Sequence, residues 1–340
     1  MTRDDVALQD FNSLRVPAMA DHFAELTTPS EVNELLAHAR SNRWPITVLG
    51  EGSNVVLADR IPGLVILQRT RGVTVLEEDE DRARVMAAAG ENWHDFVCWC
   101  LERGLYGLEN LALIPGTVGA APIQNVGAYG VEVGSFITLV TGRLLPSGEI
   151  VELDREACQF GYRNSIFKGE LANGMLIESV IFDLPKTAAP VANYPSLADY
   201  LSRHEIVAPT PEDVFAAVVA IRRARLPDPA QVPNAGSFFK NPLLSDVELE
   251  TLLEAHPDAP HYDDAKGHKV PAAWLIEQCG FKQRDGAVRV HADHALVIIN
   301  PRQRPARDIA ALAREIVAEV QSRFGILLEQ EPRHYGVFEP

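Results

Sequence analysis

Between Ile114 and Gly134 the chain carries five glycines and two prolines with little charge, and no other segment limits the fold as much. Gly116, Gly119, Gly127, Gly130 and Gly134 alternate there with Pro115 and Pro122. A solvent-facing linker would be more polar. Glycine lets another backbone or a ligand approach where a Cβ would block it. The stretch therefore reads as backbone laid closely against something, either protein or ligand, between ordered elements.

Its N-terminal flank reads as a helix followed by short strands. Ser30 to Ala39 has helical spacing, with Ser30 at the start and Val32, Leu35, Leu36 and Ala39 apolar. Ile46–Leu49, Val55–Leu57, Leu64–Leu67 and Arg84–Gly90 are strand patterns cut by Gly and Pro. A helix follows, capped by Asn92, with Trp93, Phe96, Val97, Cys100 and Leu101 on one face and Gly104 at its end. Beyond the glycine segment, Phe136–Leu145 and Glu149–Leu153 flank Pro146-Ser-Gly148 as a hairpin, and Met175–Leu184 adds a strand.

The last third has longer helices. Thr210-Pro-Glu-Asp213 and Ser245-Asp-Val-Glu248 are capping boxes. Further helices are expected over Pro271–Cys279 and Arg307–Phe324, with strands over His294–Ile299 and Ile326–Leu328. The whole is an α+β chain of 340 residues, about two domains' worth. Boundaries are expected near 186 and 209. The net charge of −16 argues against a general binder of nucleic acid or anionic membrane, though a local basic site remains open to a small anion. The first ten residues lack the apolar core of a secretory signal, and no apolar run approaches the roughly 18 residues of a membrane span. Cys98, Cys100, Cys158 and Cys279 form no C-x-x-C pair. A reduced, cytoplasmic protein is expected.

Several motifs carry candidate chemistry. Gly50-Glu-Gly-Ser-Asn54 lies between two apolar runs, but Val55 and a second strand stand where a Rossmann fingerprint needs a third glycine and a helix. What remains is a tight β-turn-β whose amides suit a diphosphate, or an ordinary hairpin turn. Ile114-Pro-Gly-Thr-Val-Gly119 and Ile123-Gln-Asn-Val-Gly-Ala-Tyr-Gly130 add uncharged donors that fit a large diphosphate-bearing cofactor, or are structural turns. Arg163 stands among aromatic and apolar residues in Phe160-Gly-Tyr-Arg-Asn-Ser-Ile-Phe167, where a guanidinium is paired, used or snorkelling. In Asn234-Ala-Gly-Ser-Phe-Phe-Lys-Asn-Pro242 the Ser237 hydroxyl has two phenylalanines and Lys240 beside it. A hydrolase elbow is excluded by Phe239, and His291-Ala-Asp-His294 lacks the spacing of a zinc site.

Taken together, and in this order, these strings resemble the UDP-N-acetylenolpyruvoylglucosamine reductase (MurB) family over essentially the whole chain, with Asn193-Tyr194 similar to the tyrosine loop of its longer, type I form. The resemblance implies an FAD-binding fold of the PCMH (vanillyl-alcohol oxidase) type over residues 1–186, itself two α+β subdomains divided near 66–70. A tyrosine-loop connector over 187–209 and an α+β substrate-binding domain over 210–340 would follow. It implies non-covalent FAD held by Gly50, Gly52, Ser53, Asn54, Pro115, Gly116, Thr117, Gly119, Gln124, Asn125, Gly127, Ala128 and Tyr129. NADPH would be the co-substrate, a UDP-sugar the substrate, and the chain a monomer with no metal.

The implied reaction adds hydride to the enolpyruvyl C3 of UDP-GlcNAc-enolpyruvate and gives UDP-N-acetylmuramate for peptidoglycan. Negative charge then develops at C2 and in the adjoining carboxylate, so the site needs a fixed cation and a proton donor. By resemblance Arg163 is the cation, Ser237 the donor, with Lys240 or water assisting, and Glu331 the enolate's partner. Burial would raise the pKa of Glu331 for that role. Pro332 stands where the family has an apolar strand residue, which confines that strand to an edge. Tyr162, Tyr194, Arg225, Lys240, Asn241 and His294 match positions that contact nucleotide, with Arg225 in place of the family's frequent Lys and His294 in place of Gln. Two other functions fit parts of the pattern. One is an FAD-dependent sugar or alcohol oxidase, whose usual flavin-tethering histidine is missing from Gly50–Asn54; the other is a non-catalytic UDP-sugar-binding protein, which would be colourless.

Overall fold

The computed structural model describes residues 2–264 and 266–337. It opens with two strands that the residue pattern does not announce, β1 (Arg3–Ala7) and β2 (Met19–Leu26). Helix α1 (Val32–Asn42) starts from a box made by Thr28 and Glu31 rather than from Ser30; the Glu31 carboxylate accepts the Thr28 N–H at 2.8 Å. Then come β3 (Ile46–Leu49), β4 (Val55–Leu57), β5 (Arg60–Gln68), β6 (Val73–Glu78), β7 (Arg82–Ala88) and α2 (Trp93–Leu101). The glycine segment holds a 3-10 turn at Val118–Ala120, a short hairpin, β8 (Gly127–Ala128) and β9 (Val131–Glu132), and the start of a second 3-10 turn at Val133–Ser135. Strands β10 (Ile137–Leu144), β11 (Ile150–Asp154) and β12 (Met175–Pro185) follow, then α3 (Pro195–Arg203) and α4 (Pro211–Arg225).

The remainder alternates shorter pieces. They are β13 (Asn234–Ser237), β14 (Leu243–Leu244), α5 (Asp246–Ala255), β15 (Tyr262–Asp264), β16 (Gly267–Lys269) and α6 (Ala272–Gln278). After these run β17 (Arg289–Val290), β18 (Val297–Ile299), α7 (Ala306–Phe324) and β19 (Arg333–Tyr335). The expected strand over His294–Ile299 shortens to β18 because the Val297 N–H turns back onto the His294 carbonyl at 3.0 Å. Ile326–Leu328 is irregular, not a strand.

Sheet pairing corrects one sequence expectation outright. Gly50–Asn54 does not close a hairpin: β3 runs parallel to β5, whereas β4 runs parallel to β19 near the far end of the chain. A turn between two apolar runs has no local signal for long-range parallel partners. The other sheets are β1-β2-β5-β3, an antiparallel β11-β10-β12-β7-β6, and the three-stranded β13-β18-β17 and β14-β16-β15. The expected hairpin around Pro146–Gly148 is present, with Arg143 opposite Ile150.

The chain forms two compact units. One comprises residues 1–6, 20–52 and 62–224; the other comprises 7–19, 53–61 and 225–340. Pattern-based boundaries near 186 and 209 differ from this division, because α3 and α4 bury Leu197, Leu201, Val214 and Val218 in the core of the first unit, and composition reveals neither that nor the pairing of β4 with β19. In the first unit Phe182 of β12 lies 4.8 Å from Phe96 and 6.3 Å from Trp93, ring centroid to ring centroid, with all three rings buried. Trp93 keeps its indole N–H satisfied on the Leu111 carbonyl at 2.9 Å. In the second unit α7 buries Ile309, Ala313, Ile316 and Val320 along one stripe, and Phe238 and Phe239 are buried beside each other. No helix among the described residues is long and apolar enough to cross a membrane.

Truncating the central ring of the first core leaves a void that its neighbours cannot fill. Phe182→Ala lowers unfolding free energy by about 3–5 kcal/mol. Denaturant titration with tryptophan fluorescence reads the loss, and an unchanged midpoint contradicts this packing.

Candidate active site

In the first unit the site begins at Glu51. Asn92 accepts the Asp95 N–H through Oδ1 at 3.0 Å, capping α2, and donates through Nδ2 to Glu51 Oε1 at 2.6 Å. The other carboxylate oxygen, Oε2, accepts the Gly116 N–H at 2.9 Å. Beside it, a Cβ on Gly50 would stand 2.7 Å from Thr117 Oγ1, so only glycine permits the approach. Gly116 has φ 128°, a backbone state that L side chains resist. Two predicted cofactor segments, Gly50–Gly52 and Pro115–Gly119, are thus joined through a carboxylate that the sequence reading did not single out. Its signal was available: an acid inside an otherwise uncharged loop needs donors of its own.

Helix α2 grips the loop before Gly119 at three further points. Trp93 Nε1 donates to the Leu111 carbonyl, His94 Nδ1 accepts the Leu113 N–H at 3.1 Å, and the Trp93 N–H donates to the Gly116 carbonyl at 2.9 Å. Leu113 itself is held at φ 56°, an unusual state for a bulky residue.

The third predicted segment behaves differently. Asn125 is buried; its amide donates to Glu132 at 2.7 Å and to the Gly161 carbonyl at 3.1 Å, and its oxygen accepts the Gly134 N–H at 2.8 Å. Those bonds make it a knot within the chain, joining the glycine segment to the Arg163 loop. Part of the glycine density is accounted for in the same way, since a Cβ at Gly134 would meet Phe160 and Asn125.

Arg163 lies beyond that knot at φ 51° and donates through Nη2 to the Gly127 carbonyl at 2.7 Å. The Tyr162 ring centroid is 5.3 Å from its guanidinium carbon. A second guanidinium, missed from the sequence, joins this group. Arg222 of α4 donates through Nε to the Leu113 carbonyl at 3.2 Å. Burial lowers its pKa, Tyr129 opposes that shift, and nearby Arg163 adds to it. The signal was an arginine four residues after Val218 on the apolar face of the helix. Tyr129 meets Tyr194 edge-on at 5.5 Å, and Asn110 anchors both stretches by donating to the Tyr129 and Val191 carbonyls.

The second unit holds Ser237 and Glu331. Asn234 folds the approach by accepting the Gly236 N–H at 2.8 Å, and Ser237 pairs with Val297. The backbone then aligns against residues 329–331: the Lys240 N–H donates to the Glu329 carbonyl and the Glu331 N–H to the Phe238 carbonyl, both at 2.9 Å. This register sets buried Glu331 against the residue next to Ser237. Pro332, which has no N–H, stands where the chain changes partner, because Arg333 N–H bonds to Asn54 and β19 pairs with β4.

Lys240 places its ammonium 2.5 Å from Glu329. Asn241 accepts the Ala272 N–H at 2.9 Å, at the start of α6. The His294 pKa is lowered by burial, with Arg225 and His291 adding to that shift, and its buried Nδ1 has no hydrogen-bond partner among the described residues. Ser53 and Asn54 also lie in this unit; the Ser53 carbonyl accepts the Ser13 hydroxyl at 3.3 Å.

Residues 228–335 match the family model for the UDP-N-acetylenolpyruvoylglucosamine reductase C-terminal domain, and residues 20–154 match that for an FAD binding domain. The UDP-N-acetylenolpyruvoylglucosamine reductase of Chromobacterium violaceum is 45% identical over 97% of this chain and 98% of its own. That of Paraburkholderia xenovorans is 50% identical over 86% of each. The chain belongs to the UDP-N-acetylenolpyruvoylglucosamine reductase family. A solved reductase of that family, from Thermus caldophilus, covers 99% of the chain with 26% identity and a TM-score of 0.66. The α+β architecture, a PCMH-type FAD-binding fold followed by the reductases' C-terminal domain, is that of the family.

The loops of the first unit fit FAD on chemistry. Their glycines let a large ligand approach closely, and the one carboxylate among them, that of Glu51, is turned onto Asn92 and the Gly116 amide. Glu51→Gln puts an amide NH2 against one of those donors. The Gly116 amide should then exchange with solvent about tenfold faster or more. Native-state hydrogen exchange reads the change, and equal protection in both proteins counts against the clamp.

Proposed function

We propose that the chain reduces UDP-N-acetyl-3-O-(1-carboxyvinyl)-glucosamine to UDP-N-acetylmuramate, a step in making peptidoglycan precursors. The reading is carried by identity to reductases of that name across nearly the full length of both chains. FAD held by the loops of the first unit would supply the redox chemistry, a hydride for the enolpyruvyl C3 with NADPH as its source. The acidic chain meets its anionic substrates through local cations. In this reading it acts as a monomer in the cytoplasm.

Each residue then has a task that its setting supports. Gly50, Gly52, Pro115, Gly116, Thr117 and Gly119 line the diphosphate-bearing cofactor in this reading, Gly116 and Gly119 by close approach of backbone whose N–H groups are bonded to Glu51 and Ala89, with Glu51 fixing the shape of their loop. Arg163, anchored on Gly127, holds the substrate carboxylate as negative charge grows there. Ser237 gives a proton to C2 from the strand that residues 329–331 brace. Glu331, in its buried position, completes the environment of the developing enolate. Tyr162, Tyr194, Arg225, Asn241 and His294 contact nucleotide in this reading; Lys240 would do so from its ion pair with Glu329.

Anaerobic stopped-flow absorbance of the flavin separates the half-reactions. Ser237→Ala should accept hydride from NADPH at nearly the wild-type rate yet slow turnover of the enol ether by about 10²–10⁴-fold. A wild-type rate in that second step removes serine as the proton donor. Arg163→Ala should weaken substrate binding and slow the same step. Damage confined to the NADPH step would contradict the role given to Arg163.

A further inference from the structure

The hydrogen bond from Leu113 to His94 lies outside the roles just assigned, and it joins the cofactor loop to Arg222. His94 is the second residue of α2, half-buried, with its ring stacked on Phe215 of α4 at 5.6 Å and 10°. Its Nδ1 accepts the Leu113 N–H at 3.1 Å, and the carbonyl of the same residue accepts Arg222 Nε at 3.2 Å. Leu113 is thus clamped on both sides while its backbone sits at φ 56°. A strained bulky residue persists only where its surroundings over-determine it. Three residues on, Gly116 meets Glu51.

We propose that His94, as a neutral imidazole, is a positioning residue that fixes the cofactor loop at Leu113 and, through the Leu113 carbonyl, the direction of Arg222. The inference rests on the reading that this loop holds FAD. An imidazole accepts through Nδ1 only when its proton is on Nε2; once doubly protonated, it faces the Leu113 N–H with a donor. Around the ring stand Asp95 and Cys98 on its own helix and Arg222 and Arg223 on α4. Burial and the two arginines depress the His94 pKa below its ordinary 6.5, against the pull of Asp95. The acceptor is therefore intact at neutral pH, and is lost only as pH falls through and below the imidazole range.

Two substitutions and one spectroscopic measurement test this on the flavin-loaded protein. Asparagine offers an oxygen near the position of Nδ1 and cannot titrate; phenylalanine keeps the stack on Phe215 but accepts nothing. Wild-type protein should bind FAD evenly above about pH 7 and progressively less tightly below the ordinary imidazole pKa. His94→Asn should bind within about threefold of wild type at neutral pH and lose that acid weakening. His94→Phe should bind about tenfold more weakly or worse at every pH, since the Leu113 N–H loses its partner. Nitrogen-15 NMR of histidine-labelled holoprotein should show His94 protonated on Nε2 with an unprotonated, hydrogen-bonded Nδ1. An Nδ1-protonated tautomer, a His94→Phe protein that binds FAD like wild type, or acid weakening retained in His94→Asn would each overturn the proposal. Failure of wild-type protein to bind FAD at all would instead sink the function on which it rests.

Discussion

The shape of the loops around Gly50 and Gly116 depends on where the Glu51 carboxylate goes. An acid inside an otherwise uncharged loop needs donors of its own, and Glu51 is turned onto Asn92 and the Gly116 amide. Those two bonds tie the end of β3 to the start of α2 and to the glycine loop. The bonds are charge-assisted, the stronger kind among neutral-partner alternatives. They make Glu51 the brace of its loop. Trp93 and His94 extend the brace along residues 111–116, so one short helix sets the shape of the segment that composition marked as unusual.

The second unit obtains the same fixity through backbone register. Residues 238–240 align with 329–331, and the chain then leaves for β4 at Pro332. Proline is suited to that point because no N–H is demanded of it between the two partners. Pro332, where the family has an apolar strand residue, is thus accommodated by a change of neighbours. The Glu331 N–H still reaches the Phe238 carbonyl, and Lys240 is held to Glu329 from the same pairing.

The caps at Asn92, Thr210 and Ser245, the Pro146–Gly148 hairpin and four strands of the five-stranded sheet, β7, β10, β11 and β12, were legible because each is encoded by adjacent residues. β2 was not: Met19–Leu26 is rich in Met, Ala, Glu and Leu, which favour helix, yet its burial is set by β5 beside it. The hairpin reading of Gly50–Asn54 fails for the same cause, since β3 skips past β4 to pair with β5 and the partner of β4 lies near the far end of the chain. Motif residues were found where a glycine or a lone polar group stood out locally. Glu51, His94 and Arg222 were passed over because their meaning lies in contacts among α2, α4 and the loop. Asn125 looked like a donor for a ligand, and its hydrogen bonds instead join three stretches of the chain.

A chain with net charge −16 can still hold anions if its cations are fixed by neutral groups. Arg222 shows how. Its Nε bonds to a carbonyl and its guanidinium has a tyrosine for company, so the anchors set direction and cancel no charge. A carboxylate in the same place would give a stronger pair and a weaker field. Two guanidiniums near each other repel, and burial makes that worse by lowering the effective dielectric constant. The fold tolerates Arg163 and Arg222 together by giving each a backbone carbonyl, Gly127 for one and Leu113 for the other. Both carbonyls belong to the glycine-rich region and its approach, where the backbone is held at left-handed φ or against a neighbour. The segment that first limited the fold, together with its approach, therefore supplies the backbone that anchors both cations, and that use requires a rigid loop.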